Sequence, residues 1–405
     1  MKSSSISSSD NVIGTRGIYA RILLAILLGM AIALGLVRMF VAANNVSGQS
    51  LLSRVLEGQA AIPRIAAEEN QLVMFFGSSM TDAGFSPREF DLKLAEKGIE
   101  TTSFNFGFGG LNPMFQEYLS KRIVEDFEAE NRRLKLVMIE FNPFQTTITR
   151  RNRAVALEDS YIALLASPGE LFDILLEDPE RGIRMLEIRY LRDGISAEMI
   201  TTFFWAGPFQ TPFIGTKLVE EEGVEERLGE VLAGLGEAFE VEYPEYDGSD
   251  WYYPWRGGGT NKSERSAETL ALVDEYYTLT QTDYRMDDDR LSRIYTADIV
   301  DLNFDTDLIE AFIALVKNFQ QIADHVEIIM LPKNTDWIKN PPEALARQAA
   351  VVERIRRETG VPLRDFQQTD FVSNDMFADA THLNRYQGAV AFAHLLAEEY
   401  AELLR

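Results

Sequence analysis

The sequence predicts an α/β fold: a doubly wound, mostly parallel sheet of five strands, interrupted by a large and mainly helical insertion. Three observations carry this prediction. Short apolar runs typical of strands buried on both faces alternate with amphipathic helical patterns. Several of these runs end in glycine-rich or polar turns, as strands do at the carboxyl edge of an open α/β sheet. A longer apolar run near the N-terminus predicts one transmembrane helix.

The N-terminal run predicts a membrane anchor over residues 18–43, preceded by a cytoplasmic segment over 1–17. Ile22–Val37 holds 16 uncharged residues between Arg21 and Arg38. With both arginines snorkelling to the headgroups, the helix covers a hydrocarbon core of about 30 Å. Basic residues precede the run, so we expect a single-pass protein of the cytoplasmic (inner) membrane whose body lies in the periplasm or outside the cell. A cleaved signal peptide is the alternative, because small residues end the run.

Composition narrows the possible chemistry. The chain has no cysteine, which excludes disulfides, thiolate metal sites and a cysteine nucleophile. It has three histidines, so an imidazole base has few candidates. The net charge is −24, and it becomes −27 without the first 45 residues, which hold four basic residues and one acidic residue. A field of this sign disfavours nucleic acid as a partner.

The strands and helices of the α/β domain are predicted from apolar runs and from apolar residues at helical spacing. The predicted strands are Leu72–Phe76, Thr101–Phe106, Leu136–Phe141, Val326–Leu331 and Val361–Asp365. The predicted helices are Arg88–Lys97, Met114–Asn131, Leu308–Ala323, Pro342–Thr359 and Asn384–Leu404. Ser86 followed by Pro87 is a typical helix start, with an N-cap hydroxyl and a proline at the first helical position.

These elements define the predicted domain organisation. A stalk over 44–70 leads to an α/β domain formed by 71–143 and 302–405. Residues 144–301 form an insertion that we expect to cover the carboxyl edge of the sheet as a lid. Its helical patterns lie at Ser160–Leu176 and Glu180–Arg192.

An aromatic loop over Tyr243–Gly259 has no core periodicity. Trp251, Tyr253 and Trp255 in this loop are candidate substrate-binding residues, because flat π surfaces suit the C–H faces of sugar rings. The alternative is that these aromatic side chains pin the insertion onto the core.

The stretch Leu72–Pro87 combines a buried strand, a tight turn and a helix start. The apolar run ends at Gly77, and two hydroxyls follow it, Ser78 and Ser79. A serine at the carboxyl end of the first strand lies where open α/β sheets hold their catalytic groups. By itself the Gly-Ser-Ser sequence is also compatible with a simple polar turn.

His382 is the candidate general base. It lies in the loop before the last helix, three residues after Asp379. An aspartate at this spacing can accept a hydrogen bond from the imidazole Nδ1–H, which leaves Nε2 to take a proton from a serine. His394 lies within the last helix, where we expect a packing role. His325 precedes a strand at the amino edge of the sheet, away from the chemistry.

These residues resemble the SGNH hydrolases, also called GDSL-like lipases and acylhydrolases, which have a flavodoxin-like α/β fold. The family's first block, glycine-aspartate-serine-leucine, resembles residues 77–80 (GSSM) and implies that Ser79 is the nucleophile. The family's last block, Asp-x-x-His, resembles Asp379 and His382 and implies the other two members of a catalytic triad. The sequence departs from the first block at Ser78, where the family has aspartate.

The two middle blocks of the family imply an oxyanion hole. The Asn-x-x-x-x-Gly block is similar to residues 105–110 and implies Gly110 as a donor, with Gly109 as the alternative. The third-block asparagine corresponds to Asn142, although a proline follows it where the family has aspartate. Together with the backbone N–H of Ser79, these groups would stabilise the oxyanion. No metal or cofactor is expected.

One anchor, an SGNH-like body and a large insertion also resemble the extracytoplasmic partners of membrane-bound O-acyltransferases. Those partners act in acetylation of alginate and bacterial cellulose and in D-alanylation of teichoic acids. The resemblance implies an acyl-Ser79 intermediate, a multispan acyltransferase partner and transfer, with acetyl as the expected group, to an envelope or exported polysaccharide. The alternatives are an esterase or deacetylase that uses water and a non-catalytic polysaccharide-binding partner.

Overall fold

The computed structural model divides the chain into two compact units, residues 1–48 with 160–210 and residues 49–159 with 211–405. The second unit holds the α/β domain. The residues that the structure describes are 10–43, 58, 61–109, 111–151, 159, 162–163, 165–189, 223–242, 267–268, 271–272, 275, 279, 300–335, 338–367, 373, 376–377, 381–383 and 387–405.

The α/β domain is built on a five-stranded sheet in which all strands run parallel. The strands are β1 (Gln71–Gly77), β2 (Thr101–Gly107), β3 (Leu134–Glu140), β4 (Ala323–Met330) and β5 (Leu363–Asp365). The prediction of a parallel five-stranded α/β sheet is therefore confirmed. The order across the sheet is β2-β1-β3-β4-β5, which places the topological switch point between β1 and β3.

The described residues form helices in both units. They are α1 (Asp10–Ala43), α2 (Ser79–Gly84), α3 (Pro87–Ala95), α4 (Pro113–Ala129), α5 (Pro168–Glu177), α6 (Pro179–Glu187), α7 (Val224–Glu242), α8 (Thr306–Ile322), α9 (Pro342–Thr359) and α10 (Gly388–Tyr400). Helices α4 and α8 pack together, as do α3 and α10. The first unit contains α1 and the adjacent helices α5 and α6.

The side chains of β1 alternate between the two faces of the sheet, and both faces are buried. Phe76 packs against Phe319 of α8, with ring centroids 5.0 Å apart, and the preceding Phe75 packs against Phe85, with centroids 5.2 Å apart. Neighbouring side chains of a strand point to opposite faces, so these two rings enter the two layers of helices. The apolar run of β1 therefore reflects a central position in the sheet.

Two local predictions concern the segment after β1. Ser86 caps α3 as predicted, because its hydroxyl accepts a hydrogen bond from Glu89 N at 3.5 Å. The turn expected after Gly77 is in fact the start of the short helix α2, with Ser78 as its N-cap and Ser79 as its first residue. The Ser78 hydroxyl stabilises this start by accepting a hydrogen bond from Met80 N.

The N-terminal predictions have a mixed outcome. Helix α1 covers the predicted anchor over 18–43. Within the part of the chain that the structure describes, however, no helix is long and apolar enough to cross a membrane, and the anchor stays a prediction. The first part of the predicted stalk, 44–57, lies outside the described residues. Ile62 and Ile65, also in the predicted stalk, are fully buried, so this part of the segment contributes to a core.

The carboxyl ends of the first three strands are level. The parallel register pairs Gly77 with Gly107 and Phe76 with Ile139. Gly107 lies directly against α2, and a Cβ atom at this position would overlap the backbone of Asp82. The close approach of β2 to α2 therefore depends on a glycine at position 107.

We predict that Gly107→Ala destabilises the protein by about 1–3 kcal/mol, because the added methyl group must displace backbone atoms. Thermal or urea unfolding of the full-length protein measures this change. Gly229→Ala, at an exposed position of α7 with open space around it, is the matched control and should leave stability unchanged or raise it by up to about 1 kcal/mol. Equal stability losses in the two variants would contradict the prediction.

Candidate active site

The structure brings Ser79 and His382 into hydrogen-bonding contact. Ser79 Oγ lies 2.8 Å from His382 Nε2, although the two residues are 303 positions apart in the chain. Ser79 follows β1 with only Ser78 between them, and His382 lies in the segment that leads to α10. A serine hydroxyl at this distance from an imidazole nitrogen has the geometry of a nucleophile and its general base.

The second ring nitrogen of His382 is also engaged. Its Nδ1 lies 3.0 Å from the hydroxyl of Thr381. When Nδ1–H donates to this hydroxyl, Nε2 carries the lone pair that faces Ser79. Asp379, the predicted partner of Nδ1, lies outside the described residues.

The other two histidines have different surroundings. His394 of α10 lies 3.1 Å from the buried carboxylate of Glu89 in α3, so it joins two helices that pack together. His325 was predicted to precede a strand; it lies within β4 instead, near the amino end and opposite Leu136. It is exposed at that end of the sheet, whereas Ser79 follows the carboxyl end of β1.

A buried carboxylate lies beside the serine turn. Glu140 is the last residue of β3, is 3% exposed and accepts four hydrogen bonds. Ser78 donates its N–H at 2.7 Å and its hydroxyl at 2.6 Å. Thr81 donates its N–H at 3.2 Å and its hydroxyl at 2.6 Å. These charge-assisted bonds tie the first turn of α2 to the neighbouring strand β3.

Glu140 and Thr81 are not among the residues predicted from the sequence. A signal for Glu140 was present, because it is the one acidic residue at the end of a buried apolar strand, and such residues are seldom buried without a partner. The same carboxylate also explains why position 77 is a glycine. A Cβ atom at Gly77 would lie 2.7 Å from Glu140 Cβ and would overlap the Thr81 hydroxyl.

Asn142 lies just beyond β3, next to the serine turn. Its Nδ2 donates to Ser78 Oγ at 3.2 Å and lies 3.2 Å from Met80 Sδ. Its Oδ1 accepts from Phe144 N at 2.9 Å and caps the short 3₁₀ helix Pro143–Thr146. The amide that the family resemblance assigns to the oxyanion is therefore occupied by Ser78 in this structure.

Asn105 connects β2 to α2. Its Nδ2 lies 2.9 Å from the carbonyl oxygen of Thr81, 3.2 Å from that of Asp82 and 2.8 Å from that of Phe85. Its Oδ1 accepts from Gly107 N at 2.9 Å. Because Asn105 is only 2% exposed, these bonds are shielded from water and hold the helix that carries Ser79.

Four other residues that the sequence predicts for the site lie outside the described residues: Gly110, Trp251, Tyr253 and Trp255. Gly109, the alternative to Gly110, lies within the described residues and is buried. Among the residues with described positions, no group of three or more His, Asp or Glu side chains could hold a metal ion.

One cation is buried just after the carboxyl end of β4. Lys333 is 6% exposed, and its Nζ donates to Asn340 Oδ1 at 2.7 Å. Burial lowers the pKa of its ammonium group below the ordinary value, and the negative charge of Asp365 opposes this shift in part.

No protein-family model matches the chain, and no curated protein is significantly similar to it. A serine and an imidazole meet at the carboxyl end of β1, at the switch point of a parallel sheet, where such folds bind their ligands.

We predict that Asn105→Asp destabilises the protein by about 2–4 kcal/mol, because a carboxylate oxygen would face carbonyl oxygens that now accept from Nδ2. Urea unfolding measures the change. Asn131→Asp, an exposed position with φ of 49° that asparagine and aspartate both tolerate, adds the same charge and should stay within about 0.5 kcal/mol of wild type. An Asn105→Asp variant as stable as the control would refute the role of Asn105.

Proposed function

We propose that this protein is an SGNH-type serine acyltransferase that acts outside the cytoplasm on an envelope or exported polysaccharide. The observation that carries the proposal is the 2.8 Å hydrogen bond between Ser79 Oγ and His382 Nε2. The four sequence blocks that resemble SGNH hydrolases support it. A non-catalytic role gives no reason for this nucleophile–base geometry at the switch point of the sheet.

The proposed reaction has two steps. Ser79 Oγ attacks the acyl carbonyl carbon while His382 Nε2 takes the hydroxyl proton, and the leaving group then departs with that proton. The product is an ester on Ser79. In the second step His382 Nε2 takes a proton from a sugar hydroxyl, whose oxygen attacks the carbonyl carbon of the acyl-serine. The bond from that carbon to Ser79 Oγ then breaks, and Nε2 returns the proton to Ser79 Oγ. Water in place of the sugar would give hydrolysis.

The backbone N–H of Ser79 is the proposed main donor to the oxyanion. Ser79 is the first residue of α2, so its N–H has no acceptor within the helix. A donor already aimed at the developing charge is worth about 3–4 kcal/mol. Gly110 is the proposed second donor, and Asn142 could contribute by releasing either Ser78 Oγ or Met80 Sδ from its amide group.

The acyl group and the partners come from the family resemblance. Acetyl is the proposed group, and a multispan membrane-bound O-acyltransferase is its proposed source. The anchor over 18–43 belongs to the same proposal. It is supported by the helical course of α1 and by exposed apolar side chains on it, such as Ile18, Leu23 and Leu28.

We predict that Ser79→Ala and His382→Gln each lower turnover of a chromogenic acetyl ester by about 10³-fold or more, since either change removes one half of the nucleophile–base pair. A fluorophosphonate probe should label wild-type protein on Ser79, as mass spectrometry of peptides would show. Ser86→Ala is the matched control: it removes a buried helix-capping hydroxyl and should keep both turnover and labelling. Full activity in Ser79→Ala would refute the proposal.

The acceptor is identified in the same reaction. We expect acetylated oligosaccharide when a neutral glucan oligomer is added, because a sugar hydroxyl would then compete with water for the acyl-serine. Mass spectrometry of the oligomer measures the transfer. Acetate release without acetylated oligomer would indicate the esterase, and oligomer binding without any turnover would indicate the non-catalytic partner.

A further inference from the structure

On the basis of the proposed function, we infer that Glu140 is a positioning residue for the nucleophile. Its carboxylate binds the groups on either side of Ser79 and leaves only the N–H and hydroxyl of Ser79 for the reaction. Glu140 does not touch the reacting atoms in this arrangement. It acts through Ser78 and Thr81.

Glu140 and Ser78 bind three of the four N–H groups at the start of α2. A helix begins with four N–H groups that lack an acceptor within the helix, here those of residues 78 to 81. Glu140 Oε2 accepts from Ser78 N and Thr81 N, and Ser78 Oγ accepts from Met80 N at 3.2 Å. The fourth N–H is that of Ser79, the one that an oxyanion would need.

The hydroxyl groups of the same turn are divided between Glu140 and His382. The hydroxyls of Ser78 and Thr81 both donate to Glu140 at 2.6 Å. The hydroxyl of Ser79, between them in sequence, lies against His382 instead. Glu140 therefore binds two of the three hydroxyls, and only the third, that of Ser79, lies next to the imidazole.

The buried charge of Glu140 also supports this role. All four donors to Glu140 are neutral groups, and a carboxylate that is 3% exposed costs desolvation energy that an apolar side chain would avoid. Ser78 fits this carboxylate, because an aspartate at 78, as in the SGNH block, would bring a second negative charge against Glu140 Oε1. In this chain the carboxylate beside the proposed nucleophile therefore comes from β3, whereas the SGNH block has one at the position of Ser78.

The first test uses Glu140→Gln, which keeps the size of the side chain and replaces one acceptor oxygen by a donor. We predict that kcat for the acetyl ester falls about 100-fold, the scale of a misplacement of about 1 Å, while KM stays within about threefold. A general loss of folding would instead reduce the active fraction and leave the kcat of the remaining enzyme unchanged, which active-site titration would reveal.

The second test does not need turnover. The chain has three histidines, so ¹⁵N-histidine labelling of the full-length protein gives three imidazole side chains to assign. Ser79→Ala supplies the His382 Nε2 resonance without the Ser79 hydrogen bond. In Glu140→Gln we predict that the chemical shift of His382 Nε2 moves most of the way to its value in Ser79→Ala. The chemical shifts of His325 and His394 should stay unchanged. A wild-type protein without turnover would refute the proposed function, whereas this measurement would still decide the role of Glu140.

A matched pair at Thr81 keeps the inference testable if Glu140→Gln does not fold. Thr81→Ser retains the hydroxyl that donates to Glu140, and Thr81→Val removes it at nearly the same size. We predict a kcat at least tenfold higher for the serine variant and a displaced His382 resonance in the valine variant alone. Equal behaviour of the pair, or a folded Glu140→Gln with wild-type kcat and His382 resonance, would overturn the inference.

Discussion

The structure of the candidate site depends on the carboxylate of Glu140 at the end of β3. Four hydrogen bonds from Ser78 and Thr81 converge on it, and all of them are buried. They tie the start of α2, which carries Ser79, to the strand beside β1. The same contacts explain the glycine at position 77, because the carboxylate and the Thr81 hydroxyl occupy the space that a side chain would need there.

Strand order makes this arrangement possible. The chain leaves β1 for β2 on one side and returns to β3 on the other, so the crevice of the sheet opens between β1 and β3. Ser79 follows the first of these strands, and Glu140 ends the second. Asn105 at the end of β2 holds the same short helix from the opposite side. Ser79 is therefore held by three adjacent strands, which is the kind of support that the proposed catalytic geometry would require.

Much of this could be predicted from local sequence. The five strands follow from short apolar runs, because a strand buried on both faces must be apolar at nearly every position. Pro342–Thr359 has the predicted bounds, and Ser86 caps α3 as its sequence indicates. Short helix α2 was missed, since six residues are too few for a helical period to emerge from the sequence. Glu140 has a signal in the sequence, an acidic residue at the end of a buried apolar strand, but no spacing pattern indicates that Ser78 and Thr81 are its partners.

By itself, the sequence determined the class of fold, the position of Ser79 after the first strand and the choice of His382 among three histidines. These depend on local periodicity, on turn residues and on composition, which can be read along one stretch of chain. The tertiary structure alone decided that Ser79 and His382 meet at 2.8 Å, that Asn142 donates to Ser78 and that Glu140 holds the turn. These are contacts between residues far apart in the chain, and strand order and register create them.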